Sequence, residues 1–275
     1  MNKGAVEQSM TPTDRSKVLL FLALFFGAAG FLFMLLSCGT EYWLLAAESC
    51  SRPEENHGGN DPRHGKGILK TGDDVRIFHE GLFWHCSFTA SSADYSIWDL
   101  WISKPPLSKA CRTAFLFPFP VREPSGLEPG GLPSEPYERP SAIVFRTFWS
   151  IFLVAGVTAV VIGGLLAICA VTLTNHKLCR VGGALQLSGG VFLLAVVVMY
   201  LMWTQVLDTL EQFALHQRVS RCPFFHLTVQ HGPSFLMAPV AVFFTLLAGH
   251  LFILVGRRVQ GTQSQDAHKT STTEL

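Results

Sequence analysis

Four stretches of this chain, residues 18–36, 148–173, 181–206 and 235–255, contain no Asp, Glu, Lys or Arg. About 20 apolar residues of helix are needed to cross the hydrocarbon core of a bilayer, and each stretch meets that length. Charged residues make up only 15% of the chain, against about 25% in an ordinary soluble domain. The 21 basic and 20 acidic residues nearly cancel, so no basic face for nucleic acid is expected. The chain therefore reads as a four-pass membrane protein. It divides into an N-terminal segment (1–17), a first span (18–38), a large loop (39–147) and a second span (148–173). A short connection (174–180), a third span (181–206), a small loop (207–234), a fourth span (235–256) and a tail (257–275) follow.

Basic residues set the expected orientation. Arg15 and Lys17 precede the first span, Lys177 and Arg180 join the second to the third, and Arg257 and Arg258 follow the fourth. These places fall on one side, where 8 basic residues face 4 acidic ones; the other side carries 13 against 16. Both termini are expected in the cytoplasm, with the two larger loops outside. Uncharged spans argue against an ion pathway through the bundle. Gln186 and His250 are the notable polar residues inside, and a hydrogen bond between them is the expected arrangement. Paired small residues such as Gly163-Gly164 and Gly189-Gly190 permit close helix packing.

The large loop alternates between polar insertions and strand-like pieces. Residues 51–74 carry Gly58-Gly59, Gly65 and Gly67, and read as a flexible insertion. Residues 122–140 hold five prolines and four glutamates, and read as an unstructured connector. Strands are expected over 41–45, 75–79, 82–88 and 112–117. The expected fold is a membrane all-α four-helix bundle with a small extracellular antiparallel β-sheet.

Cys50, Cys86, Cys111 and Cys222 fall in the outer loops, where thiols oxidise. Four cysteines allow three pairings. Cys86 with Cys111 would join neighbouring strands, leaving Cys50 and Cys222 to tie the two loops. Zinc ligation is disfavoured, because no close Cys-x-x-Cys or His pair accompanies these residues. No phosphate loop, nucleophile elbow or His-Glu-x-x-His occurs, so neither catalysis nor a cofactor is expected.

Trp43, then Gly81-Leu82-Phe83, then Cys86 and Cys111, resembles the first-loop signature of the claudins, a Trp followed by Gly-Leu-Trp, Cys and Cys. Here Phe83 stands in the usual Trp position and Trp84 follows it. The resemblance extends to the superfamily of peripheral myelin and epithelial membrane proteins and calcium-channel gamma subunits. Tyr42-Trp43-Leu44-Leu45-Ala46, His79-Glu80-Gly81, Lys104-Pro105-Pro106 and Phe117-Pro118-Phe119-Pro120 are similar to its transmembrane protein 182 branch. The resemblance implies a claudin-like fold. It also implies a non-enzymatic plasma-membrane protein whose partner is another membrane protein, an adhesion receptor or channel subunit. A junctional role, with self-association between cells, is the alternative.

Trp43, Phe83 and Trp84 are expected to pack the sheet onto the bundle or to sit at the membrane interface, whereas Trp98 and Trp101 are candidates for contact with a partner. Cys179, beside Lys177 and Arg180, is a candidate for palmitoylation. The tail ends Thr273-Glu274-Leu275, the pattern accepted by the groove of a cytoplasmic PDZ scaffold if the tail is unstructured.

Overall fold

The computed structural model describes residues 12–50, 75–90, 109–113, 140–173, 175–205, 209–220 and 223–273. Five helices and five strands occur among them: α1 (Pro12–Gly39), β1 (Leu44–Cys50), β2 (Val75–Glu80), β3 (Trp84–Ala90), β4 (Ala110–Thr113), α2 (Pro140–Thr172), α3 (His176–Gln205), α4 (Thr209–Ser220), β5 (Phe225–His231) and α5 (Pro233–Thr273). Four helices carry membrane-length apolar stretches: Asp14–Gly39, Thr147–Thr172, His176–Gln205 and Pro233–Gly261. The expected four spans are present, and the chain separates into two compact units.

The first unit comprises residues 1–35, 148–198 and 237–275. Its helices approach closely because glycine removes the side chain at the contacts. A Cβ on Gly163 would lie 2.9 Å from the Gly182 carbonyl oxygen, and one on Gly183 would lie 2.8 Å from that of Gly249. Small residues thus pack α2 on α3 and α3 on α5 within one chain. Around them Ala23, Ala167, Ala170, Cys179, Ala248, Phe252 and Val255 form a buried cluster. Asn175 starts α3, its side-chain oxygen accepting the Lys177 N–H at 3.0 Å, the usual role of an N-cap. Helix α3 therefore begins before the expected position, and the connection at 174–180 shrinks accordingly. Gln186 is buried and His250 is exposed, so the expected hydrogen bond between them does not form. One helical face turns inward and the other outward.

The second unit comprises residues 36–147 and 199–236. Its sheet is antiparallel, in the order β4-β3-β2-β1-β5. The β2 expectation agrees with the structure. Two strands are displaced, the first beginning at Leu44 rather than 41 and the third at Trp84 rather than 82, while β4 includes residues 112–113 of the strand expected at 112–117, whose remainder lies outside the described residues. Two elements in the small loop were not expected. Strand β5, Phe-His-Leu-Thr-Val-Gln-His, alternates apolar and polar residues with period two, which was the available signal. Helix α4 packs Ala214 against Phe225, and Arg218 Nε donates to the Phe225 carbonyl at 2.9 Å. Residues 51–74 and most of 122–140, read as irregular, lie outside the described residues.

Trp43 ties these pieces together. Its indole Nε1–H donates to the Ser37 carbonyl at 2.6 Å, satisfying one of the unpaired acceptors at the end of α1. Its backbone N–H donates to Glu80 O at 2.9 Å, and its carbonyl accepts from Gly232 N at 2.9 Å. The ring packs edge-on against Tyr200 and Phe235, with centroids at 5.3 and 5.6 Å. A Cβ on Gly232 would fall 2.0 Å from Tyr42 O, so only glycine admits this strand-to-helix crossing.

Trp43→Ala should destabilise this unit by about 3–5 kcal/mol through loss of the buried ring. Trp43→Phe keeps most of the packing but strands the Ser37 acceptor, and should cost about 1–3 kcal/mol. Denaturant titration in mixed micelles checks the order, and a wild-type midpoint for Trp43→Phe would refute a separate role for the indole N–H.

Candidate functional site

The loop motif folds around the Cys86–Cys111 disulfide, which bonds residues directly opposite each other on β3 and β4. Cys50 is also disulfide-bonded; Cys222, expected as its partner, lies outside the described residues. Gly81 sits where a Cβ would be 2.6 Å from both Thr40 O and the Glu41 Cα, and its N–H donates to Trp84 O at 2.8 Å. Gly81 therefore lets the β2–β3 turn lie against the chain leaving α1. Leu82 is fully buried beside it.

Trp43 is buried, as expected, but Phe83 and Trp84 are 41% and 45% exposed. Of the two structural places expected for them, packing beneath the sheet does not occur, because the turn is tight. With Gly81 pressed on the backbone of Thr40 and Glu41, and Leu82 filling the interior, the next two side chains point outward. Trp84 joins Gly39, Thr40, Glu41 and Tyr42 in lining an open cavity of about 270 Å3.

Beneath this rim Glu41 pairs with Lys109. The carboxylate of Glu41, a ring nitrogen of His79 and the sulfur of Cys86 lie within 4.8 Å of one another. This spacing suits a metal, but the chemistry does not. A disulfide sulfur is not a thiolate, and the Lys109 ammonium occupies the carboxylate. The close approach of Cys86 Sγ to Glu41 Oε2, 2.9 Å, is accordingly a contact between two atoms that both lack a proton to donate. His79 stacks on Tyr42 with centroids 4.9 Å apart and planes 5° from parallel. Burial, and next the Lys109 ammonium, push His79 down to about 4, against the opposing pull of Glu41. Burial also lowers His231.

Other expected site residues lie apart from this cluster. Trp98 and Trp101 are outside the described residues. Cys179 is buried on α3, its thiol donating to the Phe252 carbonyl at 3.3 Å, a placement that disfavours acylation. Helix α5 continues to Thr273, correcting the expectation of an unstructured tail up to that residue, while Glu274 and Leu275 lie outside the described residues.

His79 has a folded value below its ordinary 6.5, so it binds fewer protons folded than unfolded. Its contribution to stability is present above pH 6.5 and is lost as the pH falls toward 4. The second unit should therefore weaken between pH 7 and 4, and His79→Phe, which keeps the stack on Tyr42, should flatten that slope. Denaturation midpoints at pH 7, 5.5 and 4 check it; an unchanged slope in the variant removes His79 as the source.

Residues 28–254 match the family model described as "PMP-22/EMP/MP20/Claudin tight junction". Among curated proteins the chain is 38% identical to transmembrane protein 182 of Danio rerio, covering 87% of this chain and 95% of that protein. It is 36% identical to the protein of that name in Gallus gallus, over 87% and 95%, and 34% identical to that of Homo sapiens, over 90% and 98%. With four membrane-length helices and a disulfide-pinned sheet bearing the Trp-Gly-Leu-Cys-Cys pattern, the chain belongs to the PMP-22/EMP/MP20/claudin family of membrane proteins.

Proposed function

We propose that the protein is a non-enzymatic regulatory subunit of the plasma membrane. It binds another membrane protein, an adhesion receptor or a channel subunit, laterally and modulates adhesion or signalling. The observation that carries this reading is the outward-facing Phe83-Trp84 pair on a turn whose backbone is fixed by Gly81. Rigidly presented aromatics with an adjoining cavity are what a protein contact uses, since they desolvate a large area at little cost in entropy. Trp98 and Trp101, which lie outside the described residues, remain candidates for contact with the same partner. The loop sheet faces outside and both termini lie in the cytoplasm, in keeping with the Lys and Arg distribution. There Thr273-Glu274-Leu275 engages a PDZ scaffold once the end of α5 is released into extended form.

The matched family's description supports a second reading, a junction component that self-associates between cells. Affinity purification in mild detergent from cells expressing the chain naturally separates the two. The regulatory reading predicts one membrane protein recovered in near-equal amount. The double variant Phe83→Ser/Trp84→Ser should reduce that recovery at least tenfold while leaving the Cys86–Cys111 bond intact. Undiminished recovery with the variant would rule out the aromatic surface. Recovery of the chain alone, with paracellular conductance that changes on expression, would favour the junctional reading.

A further inference from the structure

The outward faces of the membrane spans are apolar almost throughout, as hydrocarbon requires. Their exposed hydroxyls are satisfied within their own helices: Thr158 donates to Val154 O at 2.8 Å and Ser188 to Leu185 O at 2.9 Å. His250 is different. It is exposed on α5, with no hydrogen-bond partner among the described residues. Seven residues, about 10 Å of helix, separate it from Arg257 at the end of the apolar run. A polar ring facing lipid at that depth is costly, and polar groups in spans ordinarily turn toward a partner.

The residues around it form a seam. Val240, Phe243, Leu247, His250 and Leu254 follow one another at intervals of three, four, three and four residues. Val240 and Phe243 are 39% and 61% exposed, and Leu247 and Leu254 are partly exposed. Alternating steps of three and four give the 3.5-residue repeat with which two helices pack at a shallow left-handed crossing.

We propose that this face of α5 is a lateral dimer interface, and that its occupant is α5 of a second copy, joined through a hydrogen bond between the two His250 rings. Three features favour a second copy. Copies in one membrane share one orientation, so a twofold axis along the membrane normal sets each residue opposite itself. His250 then meets His250 at the same depth, with Val240, Phe243 and Leu247 likewise self-paired. An uncharged imidazole carries one N–H donor and one bare acceptor nitrogen, so two identical rings supply both halves of the bond. The proposal rests on α5 alone and is independent of the Phe83-Trp84 surface.

The full-length protein, purified and labelled with one fluorophore per chain, would be diluted into phosphatidylcholine vesicles and its dimer fraction counted by single-molecule photobleaching. Interhelical hydrogen bonds in membranes contribute about 0.6–1.4 kcal/mol, so His250→Leu should raise the dissociation constant about threefold to tenfold. His250→Asn, which is also both donor and acceptor, should stay within about twofold of wild type. In a Cys169→Ala background, Leu247→Cys should give a covalent dimer on mild oxidation, whereas Leu165→Cys, exposed on α2, should not. Retention of the Cys86–Cys111 disulfide and an unchanged melting profile show that each variant is folded. A wild-type dimer fraction in the folded His250→Leu protein overturns the proposal, as does a Leu247→Cys protein that stays monomeric under oxidation.

Discussion

The indole of Trp43 is the point on which the loop unit depends. A helix that ends at a membrane surface leaves carbonyls without partners, and α1 gives one of them to the Trp43 N–H. The same residue's backbone is paired on one side to Glu80 and on the other to Gly232. One side chain and one peptide unit thus fix the start of β1 against the end of α1, the end of β2 and the residue that opens α5. Thr40 and Ser234 reinforce the junction, their hydroxyls 2.6 Å apart, and the Ser234 hydroxyl accepts the Tyr42 N–H at 3.2 Å. Glycine at 81 and 232 is required because the backbone of residues 40–42 occupies the space a Cβ would need.

That anchoring explains which aromatics are structural and which are displayed. Trp43, Tyr200, Trp203 and Phe235 are buried, several ring against ring. Phe83 and Trp84 carry the same chemistry two and three residues beyond a glycine held against the chain, and the turn leaves them outward. The buried cluster below them is polar but closed. Glu41 is matched by Lys109, and Cys86 is committed to its disulfide, which leaves this region the character of a braced display surface.

In the bundle, sequence and structure agree on what crosses the membrane and part company on what each crossing residue faces. Gln186 and His250 looked like partners because both are polar and lie at comparable depth in neighbouring spans. Depth is readable from a sequence, but rotation about the helix axis is set by packing. The Gly163–Gly182 and Gly183–Gly249 contacts turn Gln186 inward and leave His250 outside. Cys179 illustrates the same limit: its neighbours Lys177 and Arg180 mark a membrane boundary, but the helix it starts buries the thiol against Phe252.

The sequence by itself determined the four spans and the family, and it offered Cys86 with Cys111 as one of three pairings, the one the structure shows. Charge-free length, and a spaced pattern of Trp, Gly and Cys, are one-dimensional properties that survive without coordinates. It also held the period-two pattern of β5, which was legible though easily passed over in a loop of 28 residues at positions 207–234. Only the tertiary structure decided that β5 joins β1 at a sheet edge, that Phe83 and Trp84 are exposed while Trp43 is not, and that His250 faces away from its own bundle. Each of these depends on which atoms are close across long separations in the chain. That closeness comes from packing at glycines and from one indole hydrogen bond, neither of which a local pattern encodes.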